Sequence, residues 1–392
     1  MKLAAAGLWI VGILLGILVS ATLWASNAKA DIKVGIVVSA SGPGSALGQP
    51  QMRTIAALSK EIGGEKVVYI PLDDESDPTK GAQNARRLVI QDGVDILIGS
   101  SLTPVTMTML DVALESKTPI ISLAAATAIV QPIDDRRRWA FKVVPNDDLM
   151  AAAILAHIAG TGVKTLGYIG VSDGYGEGYY KEVARLAPTL GLTVTTHEVY
   201  ARADTSATGQ VLKVMATNPE AVFIASAGTP AVLPQEALRE KGYAGRIFQT
   251  HGVATEEFIK LGGAKVEGAV FAGEAFTIAE DLPQDDPFRL ARDAFVSSYE
   301  KANGQKPNMF AAHLWDAITL LKRAAPNALK TAKPGTPEFR MALRDELERT
   351  RDVYLNNGLS TMSPTDHNGY DKRSAFLIKV DGGRFRLMES PR

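Results

Sequence analysis

Two stretches constrain the fold of this chain more than any others: Val94-Asp-Ile-Leu-Ile-Gly-Ser-Ser-Leu-Thr103 and Thr118-Pro-Ile-Ile-Ser-Leu-Ala-Ala-Ala-Thr127. Each is a short, mostly branched aliphatic run that passes straight into small and hydroxylated residues. Such a run suits a strand covered on both faces, as in a parallel sheet. The small residues fall where the chain leaves the strand and starts a helix. Open α/β sheets take ligands in that crevice, beyond the carboxyl ends of the strands. Free N–H groups at helix starts, with Ser and Thr hydroxyls, form a cradle for an anion such as a carboxylate. Two such turns close together predict a small anionic ligand, with the rest of the chain closing over it.

The amino-terminal segment gives the compartment. Lys2 precedes an apolar run from Leu8 to Trp24, and Ala28-Lys-Ala30 fits a cleavage site. The pattern predicts a secretory signal peptide over residues 1–30, cleaved before Asp31, and hence a periplasmic protein. A retained membrane anchor is the rival reading of the same run. There is no cysteine, so neither a disulfide nor a lipid-attachment cysteine is available. Loss of residues 1–30 removes two lysines and no acid, which takes the formal charge from −1 to about −3. That mild balance argues against nucleic acid as a partner. No second long apolar segment follows.

The remaining ~360 residues exceed one compact core, so two lobes are expected. Strand and helix patterns alternate from Ile32 onward, which predicts βαβ units and a parallel sheet. Ile32 to Val38 reads as a strand, Ser39 to Leu47 as a Gly/Ser turn, and Gln51 to Ile62 as a helix stopped by Gly63-Gly64. Lys66 to Ile70 reads as a strand, and Asp77-Pro78 opens a helix from Thr79 to Gln91. Near Lys142-Val-Val-Pro-Asn146 the chain changes lobe, and a second series of the same kind runs to Glu274. Helical periodicity dominates from Asp285 to Arg351. A hairpin over Ala375 to Met388 ends the chain.

Several segments resemble the branched-chain amino-acid-binding proteins of ABC importers. These are Ile32 to Pro43, Asp73-Asp-Glu-Ser-Asp-Pro78 with Ala82-Gln-Asn-Ala85, Ile98 to Thr103, Ile120 to Ala126, and Asp173-Gly-Tyr-Gly-Glu-Gly178. Their order covers essentially the whole mature chain. The resemblance implies a type I periplasmic-binding-protein fold, with two Rossmann-like lobes of mostly parallel sheet, helices on both faces, and a ligand cleft between them. It implies a first lobe of residues 31–144 plus 276–355 and a second of 145–275 plus 356–392. It implies a monomer that hands its ligand to a membrane permease, with no cofactor and no catalysis.

Carried over residue by residue, the resemblance makes Thr103 the hydroxyl for the ligand carboxylate. It makes Ala124 and Ala126 the donors of backbone groups to the same carboxylate. Family members often carry Ser or Thr where Ala126 stands, and Thr127 is the substitute one residue on. Ser41 belongs to the first cleft turn. Leu47 replaces a tyrosine of the best-known amino-acid binders. Tyr175 is an aromatic wall from the second lobe. His251 stands where those binders carry a glutamate for the ligand ammonium. A buried ammonium needs a compensating negative charge, which histidine lacks, whereas neutral imidazole suits a phenolic or carboxylate oxygen. Phe248-Gln-Thr-His-Gly252 resembles the branch that binds benzoate and hydroxycinnamate derivatives. An aromatic acid is therefore the expected ligand, with Glu274 as the group able to restore the missing charge for an amino acid.

Three other readings compete. The same fold serves as the ligand-sensing subunit of regulatory systems. Gly170-Val-Ser172-Asp-Gly174 fits the nucleophile elbow of a serine hydrolase, although the family segment explains the same turn without a nucleophile. His157, His197, His313 and His367 share no short ligand spacing, and Asp73 with Asp74 reads as capping, so no metal site is expected.

Overall fold

Two sheets organise residues 30–388, the part of the chain that the computed structural model describes. Apart from Ala30, the expected signal peptide lies outside those residues. The first sheet comprises β1 (Ile32–Val38), β2 (Glu61–Ile62), β3 (Glu65–Asp73), β4 (Ile96–Gly99), β5 (Ile120–Ser122) and β6 (Ala140–Lys142), in the spatial order β2-β3-β1-β4-β5-β6. All its pairings are parallel except the β2–β3 hairpin.

The second sheet is built on β7 (Thr165–Val171), β8 (Thr193–Tyr200), β9 (Ala221–Ala225), β10 (Arg246–Gln249) and β11 (Val270–Gly273). A two-stranded ribbon, β12 (Val353–Tyr354) with β13 (Leu359–Ser360), stands apart. The final hairpin, β14 (Phe376–Val380) and β15 (Phe385–Leu387), then returns to the second sheet and extends it antiparallel from β11. The order there is β15-β14-β11-β10-β9-β7-β8. Without their antiparallel edges, both sheets have one plan, in which the second strand lies outermost and the first sits between it and the third. The carboxyl ends of β1 and β4, and of β7 and β9, are thus the switch points at which such sheets bind ligands. This is the type I periplasmic-binding fold, with helices on both faces of two mainly parallel sheets.

The buried runs behave as their composition requires. All residues of β4 and β5 are buried, because helices cover both faces. Gly99 ends β4 at φ +129°, and a Cβ there would lie 1.9 Å from the Val37 carbonyl oxygen. Only glycine fits so close to the neighbouring strand.

The first helix differs from the expected Gln51 to Ile62. It spans Ser45–Thr54 and contains Pro50. The Gly42–Gly44 turn feeds directly into it, and Gly48 lets it lie against the end of β1, where a Cβ would meet the Ser39 carbonyl oxygen at 2.1 Å. Glu61-Ile62 is an edge strand instead, and Gly63-Gly64 is its hairpin turn, with φ of 62° and 83°. The second helix covers Pro78–Arg87 and loosens into a wider turn over Leu88–Asp92.

After β11 the helices Pro287–Asn303, Met309–Ala328 and Pro337–Glu348 return to the first sheet. Thr54 Oγ1 donates to the Ala311 carbonyl at 3.0 Å, and Asp95 accepts from Gly335 N at 2.6 Å. The segments that pass between the sheets are tied to one another. Asn368 Nδ2 donates to the Lys142 and Val144 carbonyls at 3.2 and 2.9 Å, and Tyr370 donates to Val143 O at 2.8 Å. Buried Asp316 accepts four bonds from the backbone and side-chain amides of Asn356 and Asn357. No helix of the described residues is long and apolar enough to cross a membrane.

Candidate ligand-binding site

The turn after β4 spends most of its polar groups inside its own lobe. Ser100 Oγ donates to Asp74 at 2.5 Å, and Ser101 Oγ donates to Gln51 Oε1 at 2.5 Å while accepting from Ser39 N. Leu102, not Thr103, occupies the cap position of the helix Thr103–Ser116. Thr103 is therefore spared from capping, and it lines a cavity between the lobes.

The turn after β5 supplies the adjacent wall through Leu123, Ala124 and Ala125. Ser122 Oγ accepts from Ala124 N at 3.0 Å, so that N–H is already engaged. The N–H groups of Ala125 and Ala126 have no backbone partner among the described residues. Thr127 is directed elsewhere: both its N–H and its hydroxyl donate to Asp147 Oδ1, and it is not part of the cavity wall. Ser41 is likewise outside. It is exposed, and its N–H donates to Asp73 at 3.2 Å.

The opposite wall comes from the second lobe. Asp173 caps the helix Gly174–Leu186 by accepting from Tyr175 N at 2.9 Å, which places Tyr175 on the first turn, facing the cavity. Tyr175 meets Tyr179 and His251 edge-on, with ring centroids at 5.1 and 6.1 Å. His251 also lines the cavity, and its Nδ1 is 2.9 Å from the Tyr179 hydroxyl. Behind it lies Glu274, fully buried, 4.0 Å from His251 Nε2 and without a hydrogen-bond partner for either carboxyl oxygen. Burial pushes the Glu274 carboxyl up to about 8. Burial, helped by the nearby His313 and by the Lys142 charge, pulls His251 down to about 3. The pair is thus a neutral imidazole beside a carboxyl that holds its proton at neutral pH.

Leu47, Phe310 and His313 complete the enclosure from the first lobe, with Arg202 and Ala227 from the second. The lobes are shut. A Cβ at Gly228 would lie 2.8 Å from Leu47 Cδ1, and one at Gly174 would lie 3.2 Å from Thr103 Cγ2. The free space is about 30 Å³, room for roughly two waters, so the lobes close further here than they can around a ring-sized ligand.

Thr103, Ala124, Tyr175, His251 and Leu47 meet at this cavity. Glu274 stands one layer back, and Ala126, Thr127 and Ser41 are not part of the wall. Sequence reasoning missed Arg202, Phe310 and His313. Arg202 donates to Asp173 Oδ2 at 3.1 and 2.7 Å and to Ala227 O at 3.2 Å, which fastens three second-lobe loops at the cleft. The downstream Met309–Ala328 helix carries the other two, and nothing in its periodicity distinguishes a core face from a cleft face.

The hydrolase reading finds no support here. Ser172 is exposed, and the neighbouring Asp173 is committed to the helix cap and to Arg202. Among the described residues no three His, Cys, Asp or Glu side chains form a metal-holding group.

Comparison with known proteins agrees with this geometry. A family model described as periplasmic binding protein matches residues 31–384. A solved extracellular ligand-binding receptor from Rhodopseudomonas palustris HaA2 is 65% identical, with a TM-score of 0.91 over 92% of this chain and 100% of that one. An ABC-transporter solute-binding protein from R. palustris, solved with benzoate, has a TM-score of 0.79 at 20% identity, over 92% of this chain and 96% of that one. A Leu/Ile/Val-binding protein homolog from Brucella melitensis is 23% identical over 93% of this chain and 96% of its own length.

Proposed function

Since the chain belongs to the periplasmic binding protein family, we propose that it captures a small carboxylic acid with an apolar, aromatic body for an ABC importer. Thr103 and the free N–H groups of Ala125 and Ala126 receive the carboxylate. Leu47, Tyr175 and Phe310 pack on the body. His251 bonds an oxygen at the distal end. The ligand contacts both walls only when the lobes are shut, so it favours the closed state by that difference in contact energy. The closed form is what a permease recognises.

The observation that carries the reading is the cavity lining, which holds no acidic side chain to meet an ammonium: Glu274 stands behind His251, and burial raises its carboxyl. Relatives with this fold include one solved with benzoate and one named for Leu, Ile and Val, so the fold accommodates both classes.

A second reading has its own support. Glu274, with both carboxyl oxygens unpartnered 4.0 Å from His251, becomes the counter-charge for an amino acid if binding strips its proton. A thermal-shift screen separates the two. Benzoate, 4-hydroxybenzoate and 4-hydroxycinnamate form one panel; leucine, valine and phenylalanine form the other. A ligand at a hundred times its Kd stabilises the native state by about 2.7 kcal/mol. Shifts confined to the acids support the proposal, and shifts confined to the amino acids overturn it.

A further inference from the structure

Lys142 ends β6 with no exposed surface. Its Nζ donates to the Ala125 carbonyl, and no carboxylate among the described residues lies within ion-pair distance of it. Asp147, Asp148 and Asp366 surround it at longer range. Each has an oxygen committed elsewhere: Asp147 to Thr127, Asp148 to Leu149 N, and Asp366 to the N–H groups of Asn368 and Gly369. A buried ammonium carries a desolvation penalty of several kcal/mol that a single carbonyl does not offset. Burial accordingly pulls Lys142 down to about 8.

The position of the bond matters. Ala125 lines the cavity, and its carbonyl shares one planar trans peptide with the N–H of Ala126. The two dipoles of a trans peptide point in opposite directions. The Ala126 N–H therefore points away from Lys142, and no backbone group accepts it among the described residues. Asp147 fixes the next peptide by accepting from Thr127 N at 2.8 Å. The Lys142 charge also reaches His251 across the cleft, where it helps keep the imidazole neutral.

We propose that Lys142 is the positioning residue that makes this cleft select anions. It aims the Ala126 N–H at the ligand and supplies the buried charge that a ligand carboxylate balances. The inference rests on the reading that the ligand carries a carboxylate, and it extends that reading to a preference for acids over their neutral amides.

The test is Lys142→Met, read by calorimetry with two matched probe pairs: 3-phenylpropionate with 3-phenylpropionamide, and leucine with leucinamide. For whichever pair binds, the wild type prefers the acid at least a hundredfold. The variant narrows that preference at least tenfold, while the melting temperature of the ligand-free protein stays level or rises, because an uncompensated buried charge has gone. An unchanged acid-to-amide ratio overturns the role of Lys142 and leaves the carboxylate reading standing. If neither acid binds the wild type, both fall. Should the variant fail to fold, the ratio of 3-phenylpropionate to its amide, neither of which titrates between about pH 7 and 9.5, is followed against pH in Glu274→Gln, which silences the other group titrating near 8. The preference then declines as pH rises through 8, and a flat profile to pH 9.5 overturns the proposal.

Discussion

The two ends of the cleft treat buried charge in opposite ways. At the first-lobe end, Lys142 lies behind the Ala124–Ala126 turn and places a positive charge one peptide from the cavity. At the second-lobe end, Glu274 lies behind His251, and burial keeps both groups uncharged near neutral pH. One end is committed to an anion before any ligand arrives. The other is held neutral by desolvation alone, and a ligand that brought a cation there would have to remove a proton first. On the proposed reading, selectivity between acids and amino acids is set by the His251–Glu274 wall, and affinity for carboxylates by the first-lobe turn.

Breaking the proximal end gives the largest effect. Thr103→Val removes a hydroxyl whose bond to a charged ligand group is worth about 1.5–3 kcal/mol, and the affinity for carboxylates falls roughly tenfold to a hundredfold by calorimetry. Weakening the distal end is milder. His251→Ala removes a neutral hydrogen bond of about 0.5–1.5 kcal/mol, so 4-hydroxycinnamate weakens several-fold more than cinnamate. Equal losses for the two would take His251 out of that role.

Glu274 sharpens the comparison through pH. Its folded value of about 8 lies above the ordinary 4.5, so the folded state binds this proton more tightly than the unfolded chain does. Stability from this source is greatest at low pH and is lost as pH rises towards 8. His251 and His313, both pulled down to about 3 by burial, act in the opposite sense and only below their ordinary value of 6.5. Asp316 is raised to about 7 by burial, so most of its contribution is gone by pH 7. Between pH 7 and 8 the loss from Glu274 outweighs the opposing gain from Lys142, which is pulled down to about 8 and contributes mainly above that pH. The wild type loses melting temperature over that interval, and Glu274→Gln flattens the loss. The smallest effect is at Ser41: it is exposed and outside the cavity, so Ser41→Ala leaves affinity unchanged within error.

Much of this was legible in the chain itself. The runs into Thr103 and Thr127 are strand ends because they combine branched aliphatics with small residues, and both lie at the cleft. The departures have local causes. The hydroxyls of Ser100 and Ser101, in the turn after β4, go to Asp74 and Gln51, distant in sequence. Thr127 looked like a substitute donor until Asp147, twenty residues on, claimed it. Lys142 carries no local mark of burial, since its burial depends on the crossing segment around His367 and Asn368. Helix Met309–Ala328 presents His313 to the cleft only because the chain returns to the first lobe after β11, a long-range event that periodicity does not encode.

On the proposed reading the first-lobe wall holds a carboxylate, and the His251–Glu274 wall offers no charge to pair with an α-ammonium beside it. The most direct measurement is calorimetry of 3-phenylpropionate against L-phenylalanine, which share the ring, chain and carboxylate and differ in the α-ammonium. The expected result is that 3-phenylpropionate binds at least about a hundredfold more tightly. Tighter binding of phenylalanine would contradict it and would make ionised Glu274 the group that sets specificity.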